Sequence, residues 1–163
     1  GGVYLYARGR LWQRIHLTDV GKQDRKYMWT SAVRMIKDRP LLGVGLNTFM
    51  ANYLAYWVGG ERQPRYAHNC YLQVAAETGI AGLVTFLLLL GAIIRSWWKA
   101  LRGRAAPATI MLLGLSAGLI AFLIQSAFDT NFYALRQAAL FWILAGVATG
   151  LALDIRRTAS PAR

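Results

Sequence analysis

Cysteine is almost missing from this sequence: Cys70 is the single one in 163 residues. It permits no disulfide within the chain and matches no metal-ligand spacing. With His68 it makes two nearby ligands, too few for a zinc site, which leaves the reading of a small packed residue. Acidic residues are scarce as well, seven against nineteen lysines and arginines. Charge of either sign is absent from three long segments. Seventeen residues separate Glu77 from Arg95 without one, twenty-four separate Arg104 from Asp129, and seventeen separate Arg136 from Asp154. A helix rises about 1.5 Å per residue and a hydrocarbon core is about 30 Å thick, so roughly 17–25 apolar residues span it. The stretch "LVTFLLLLGAII" has no polar face, which argues against a soluble helical bundle. The expected fold is all-α: a polytopic membrane segment with spanning helices over 79–98, 105–128 and 136–154, preceded by a helical outer segment over 1–78. Trp97, Trp98 and Tyr133 stand where interfacial anchors belong.

A net charge of +12 suggests nucleic acid when taken alone, but its placement suggests a membrane. Arg95, Lys99, Arg102 and Arg104 crowd the first short loop, Arg156, Arg157 and Arg163 follow the third span, and only Arg136 borders the turn between spans two and three. Positive charge concentrates in short cytoplasmic loops. This puts the first loop and the tail over 155–163 in the cytoplasm, and residues 1–78 with the turn near Asp129 outside. The eleven basic residues of 1–78 do not conflict, because long loops follow the rule weakly. A basic outer surface facing a bilayer suits anionic lipid or phosphate ligands, and no nucleic acid is expected. The opening "GGVYLYARGR" has no initiator Met and no signal-peptide pattern. It reads as the end of an earlier membrane helix over 1–6, and the expectation is the C-terminal part of something longer.

Within the outer segment, "DRKYMWTSAVRMIK" (24–37) reads as an amphipathic helix capped by Asp24 and stopped before Pro40. At 100° per residue, Arg25, Trp29, Ala32 and Ile36 fall within about 40° of one another, with Arg34 opposite. A guanidinium on an apolar stripe needs an anionic partner, or it snorkels past Trp29 to water or lipid phosphate. "RPLLGVGLNTF" (39–49) contains G-x-G without a preceding strand or a third glycine. A tight turn packed on the membrane domain explains it better than a dinucleotide site. "FMANYLAYWV" gives a short aromatic helix and "GGERQPR" a polar loop. His68 then stands at the start of the helical "HNCYLQVAAETG". A neutral imidazole there can accept a proton, as a general base must; the plain alternative is a surface histidine without a role. Asn69 either orients that imidazole or a sugar hydroxyl, or caps the helix. Glu77 at the membrane boundary is a candidate to pair with an arginine of the outer segment, a structural reading set ahead of a catalytic or substrate-binding one. Asp129 and Arg136 are expected to pair with each other or to position the site from below. Tyr66 and Tyr71 are candidates to stack on sugars, and Arg65 is a further candidate substrate contact. Gly79, Gly82, Gly114 and Gly118 read as close-packing positions between helices, the last two with small-xxx-small spacing.

The stretches "DRKYMW", "RPLLGVGLNTF", "HNCYLQVAAETGIAG" and "QSAFDTNF", in this order and this membrane context, resemble the C-terminal region of the O-antigen ligase and polymerase superfamily of bacterial inner-membrane glycosyltransferases. The resemblance is specific from Asp24 to Gly82 and looser beyond. It implies a GT-C-type enzyme working on the periplasmic side without metal or cofactor. The donor it implies is a glycan on undecaprenyl diphosphate, and the acceptor a lipid A-core sugar, another carrier-linked repeat or a protein. Activity in the family rests on the arginine of "DR…W" and the histidine of "HN", which fall on Arg25, for the diphosphate, and His68, as base. Family members are longer and use a further upstream arginine, so a chain starting at Gly1 would be incomplete as an enzyme. Direct displacement by the acceptor would invert the anomeric centre, and no second carboxylate pair of the hydrolase kind is visible, which argues against a glycosidase. A single large outer segment before a short membrane tail favours the ligase arrangement over polymerase or protein glycosylation.

Two other classes compete. A transporter fragment would place ionisable residues near mid-span; the second span offers only Ser116 and, near its end, Gln125 and Ser126, and the third has no charge inside. A non-catalytic, membrane-anchored polysaccharide-binding module would tolerate replacement of Arg25 and His68 as readily as of any other basic residue.

Overall fold

The structure, a computed structural model, describes residues 24–60, 63, 66–103 and 107–159. The segment 1–6 and Arg65 lie outside these residues. Helix α1 covers 24–38, and ends where Pro40, which has no N–H to donate, follows Arg39. Its buried face is Met28, Ser31, Ala32 and Met35, packed on Phe49, Tyr53, Ala67 and Ala76. This differs from the expected stripe. Trp29 and Ile36 sit at its margin and Arg25 is exposed, because the cluster does not reach the first turn. Arg25 therefore has no buried charge to neutralise. Beyond α1 come a short α2 (Phe49–Asn52) and a 3-10 turn (Tyr53–Tyr56), both aromatic as the sequence suggests.

Helix α3 (Cys70–Leu101) is broken at Gly79, whose φ of 73° and ψ of −178° lie outside the helical region. A break in a helix frees backbone groups that need partners, and the turn over 40–45 supplies them. Val44 N–H donates to the Ala76 carbonyl at 2.9 Å, Gly45 N–H donates to the Glu77 carbonyl at 2.9 Å, and Ile80 N–H donates to the Pro40 carbonyl at 2.7 Å. Backbone approaches backbone so closely that a Cβ on Gly43 would lie 2.3 Å from the Glu77 carbonyl carbon, and one on Gly79 2.1 Å from the Leu41 oxygen. The "RPLLGVG" turn is thus a splint for the break, and Gly79 is a close-packing position against a loop, not a helix.

The apolar arm of α3 beyond the break packs with α4 (Pro107–Gln125) and α5 (Leu135–Ala159) around Leu90, Trp97, Leu112, Leu119, Phe141 and Ala148. Three helices are long and apolar enough to cross a membrane, with stretches Cys70–Leu101, Pro107–Gln125 and Leu135–Thr158, and among the described residues there is no strand. α5 continues past Asp154, where a tail was expected, to Ala159. Trp97 is no interfacial anchor: it is 1% exposed, its indole N–H donating to Thr149 Oγ1 at 3.0 Å. Trp98 is the exposed member of the pair, at 57%. Gly114 and Gly118 do not bring helices together among the described residues, since a Cβ at either would meet nothing within 4 Å. They line an open cleft of about 440 Å³ between α4 and α5.

Candidate functional site

The start of α3 is sewn to the turn between α4 and α5. Asn69 is the N-cap, its side-chain oxygen accepting from Leu72 N–H at 3.0 Å. Cys70 N–H donates to the Ser126 carbonyl at 2.8 Å, and the Cys70 thiol donates to the Asp129 carbonyl at 3.1 Å. The lone cysteine is packed, as expected, and it is also a hydrogen-bonding peg. Buried Gln73 fixes the approach from the other side, accepting from Ala67 N–H at 3.1 Å.

His68 lies between these anchors in the left-handed region, φ 47°. A non-glycine residue held there costs about 1 kcal/mol or more, and such residues gather at functional sites. Its Nδ1 lies 3.3 Å from Asp129 Oδ1, an oxygen that also accepts from Thr130 N–H at 2.8 Å. The Thr130 N–H is the main cause that holds the Asp129 carboxyl below the usual range, with the imidazole and then the charge of Arg25 adding to it. An ionised Asp129 can only accept, so it pairs with a proton on Nδ1, and in the neutral imidazole this leaves the lone pair of Nε2 for a substrate. Among the described residues Nε2 has no protein partner. Both side chains are partly exposed, so a ligand can reach them.

His68 and Asp129 thus come together, and the exposed Arg25 acts on Asp129 through its charge alone, as the weakest of the influences on that carboxyl. Asp129 faces His68 and not Arg136, which is exposed on the first turn of α5. The expected pairing fails because the Cys70 contact turns the Asp129 backbone toward α3. Glu77 has no arginine partner among the described residues. It is 1% exposed and accepts from Asn47 N–H at 2.8 Å, Phe49 N–H at 3.2 Å, Gln73 Nε2 at 3.3 Å and the Tyr133 hydroxyl at 2.9 Å. It is a hub that ties the outer turn to α3 and to the α4–α5 turn. Burial, with the Glu77 charge second, pushes the Tyr133 phenol well above its ordinary value. The Tyr71 hydroxyl donates to the Leu123 carbonyl at 2.7 Å, joining α3 to α4. Tyr66 lies over Tyr133, ring centroids 5.8 Å apart, close to the His68 turn. The Glu77–Tyr133 link, across 56 residues, had no local signal in the sequence.

The O-antigen ligase family profile matches residues 2–87, more than half of the chain. The exopolysaccharide production protein ExoQ of Rhizobium meliloti (strain 1021) is 28% identical over 108 aligned positions, covering 57% of this chain and 23% of that protein. No solved structure matches the chain significantly. The family match runs through α1, the splinting turn, the His68 turn and the break at Gly79, which together hold the outer half of the site. This integral membrane protein belongs to the O-antigen ligase family, within the superfamily of O-antigen ligases and polymerases.

Proposed function

We propose that the protein is part of a membrane glycosyltransferase that moves a glycan from undecaprenyl diphosphate to an acceptor hydroxyl, by inversion and without a metal, at the periplasmic face of the inner membrane. The observation that carries this reading is the His68–Asp129 pair at the head of a membrane bundle; Arg25, exposed on the first turn of α1, supplies the cation in this reading. His68 Nε2 takes the acceptor proton as the hydroxyl attacks the anomeric carbon, worth about 10²–10⁴-fold. Asp129 holds the tautomer and balances the imidazolium that forms. Negative charge grows on the departing diphosphate, which a planar guanidinium binds through paired oxygens; losing that contact costs about 2–4 kcal/mol of transition-state stabilisation. The cleft between α4 and α5 starts at Asn131, two residues from Asp129, and its apolar walls of Gly118, Phe122 and Leu140 suit a lipid tail. In this orientation residues 1–78 are periplasmic and the C-terminus cytoplasmic.

A lipid A-core sugar is the acceptor in this reading. The match to a protein named for exopolysaccharide production favours a second, in which the acceptor is another carrier-linked repeat and the product a polymer. The test is complementation by the longest reading frame containing this segment, in hosts lacking either their ligase or their exopolysaccharide polymerase. His68→Ala and Arg25→Lys should abolish restored glycan and Arg34→Ala should keep it. Equal behaviour of the three variants would sink the assignment, and the host that is rescued identifies the acceptor.

A further inference from the structure

We propose that the turn over 40–46 is a membrane wedge: Leu41, Leu42 and Leu46 enter the lipid leaflet on the site's side of the bilayer, with Lys37 and Arg39 meeting anionic headgroups above them. The three leucines are 71%, 83% and 75% exposed, although the backbone that carries them is clamped to the α3 break by the Val44, Gly45 and Ile80 hydrogen bonds. A cluster of large apolar side chains presented outward on a held turn marks an interaction surface. Which surface follows from position along α3. At its far end, Trp98 is exposed with the Arg102 guanidinium 5.1 Å from its ring centroid, and Lys99 is exposed beside it, the aromatic-plus-cation pattern of a membrane–water boundary. A hydrocarbon core of about 30 Å takes about 20 helical residues. Counted back from Arg95 and from Lys99, its opposite boundary falls between Ala75 and Gly79, the residue that Leu41 and Leu42 abut. Below that level the exposed apolar face of α3 continues through Ile80, Val84 and Leu87. The leucines therefore extend the lipid-facing surface of the helix sideways at the depth where acyl chains begin.

Charge fits the same partner. Lys37 and Arg39 are exposed just before the turn; Asp38 between them accepts from the Tyr56 hydroxyl at 2.5 Å and lies 4.0 Å from the Arg39 guanidinium, which leaves the three residues one net positive charge. Cations at the rim of an inserted apolar tip are attracted to anionic headgroups. The proposal is independent of glycan transfer.

The test is spin labelling of the full chain, reconstituted in vesicles of phosphatidylethanolamine and phosphatidylglycerol, with single cysteines at Leu42, Val84 and Lys26; unsubstituted protein controls for labelling of buried Cys70. Leu42→Cys is expected to share with Val84→Cys an oxygen-to-nickel-chelate accessibility ratio several-fold above that of Lys26→Cys. Free access of the nickel chelate to Leu42→Cys would place the turn in water, and exclusion of both reagents would mean that protein covers it; either result overturns the wedge. Adding Lys37→Gln and Arg39→Gln should reduce the immersion of Leu42→Cys in anionic vesicles and leave it unchanged in phosphatidylcholine. Equal change in both would overturn the headgroup contact.

Discussion

At the scale of the residue, Asp129 is the side chain whose removal says most. Asp129→Asn would turn an amide toward Nδ1, and an amide N–H there favours the tautomer with the proton on Nε2, where the base must be empty. Activity of the complementing enzyme should fall about 10²–10⁴-fold, with membrane protein level unchanged, whereas a merely structural Asp129 would lower both together. Its acidity makes a second prediction. The folded-state value is depressed, chiefly by the Thr130 N–H, so the group's contribution to stability is present above the ordinary carboxylate value of about 4 and is lost as pH falls through the folded-state value. Thermal melts of wild type and Asp129→Ala in detergent should differ at pH 7 and converge in acid. A gap that stays constant from pH 7 to pH 3 would contradict the assigned environment.

At the scale of the element, the break in α3 and its splinting turn stand or fall together. Gly79→Ala and Gly43→Ala each force a Cβ into opposing backbone from a positive-φ position. Neither backbone can yield without opening the Val44, Gly45 and Ile80 hydrogen bonds. A loss of about 3 kcal/mol or more is expected for each in chemical or thermal unfolding, since strain and lost hydrogen bonds add. Gly114→Ala is the contrast. It sits in regular helix with open space where its Cβ would go, so it should be neutral or stabilising by up to about 1 kcal/mol, the helix-propensity difference. Similar losses at all three positions would mean that the docked turn is not what distinguishes them.

At the scale of the whole molecule, two clusters divide the labour. The outer one, from Met28 to Ala76, orders α1 and the aromatic turn; the other, from Leu90 to Ala152, holds the three spanning helices. His68 and Asp129 sit where the two are joined by Cys70, Gln73 and the Glu77 hub, so disturbance of the bundle reaches the site through the start of α3 and the α4–α5 turn. Trp97→Ala, which empties a buried site and leaves Thr149 without its donor, should destabilise by about 3–5 kcal/mol. Trp98→Ala, on the exposed face, should cost less than about 1 kcal/mol in detergent. Unfolding midpoints of the two variants measured side by side decide this, and equal shifts would contradict the burial of Trp97.

The all-helical class, the three apolar spans and the helices at 24–38 and after Asn69 were legible in the sequence, because length, absence of charge and capping residues are local properties of the chain. His68 and Arg25 were legible as candidates through motif order. What the sequence did not contain was pairing. Arg25, Trp29, Ala32 and Ile36 share a helix face by angle, yet which face is buried depends on Phe49, Tyr53 and Ala67 arriving from elsewhere. Asp129 and Arg136 are near in sequence, but the Cys70 thiol and N–H bind the turn from 59 and 56 residues away and give Asp129 to His68. Glu77 looked free to take an arginine, and instead four donors from three segments enclose it. Periodicity and composition determine which elements form, since each is decided within a few turns of chain. Only the tertiary structure decides which polar groups meet, because a hydrogen bond depends on distances of 3 Å between residues that the sequence leaves dozens of positions apart.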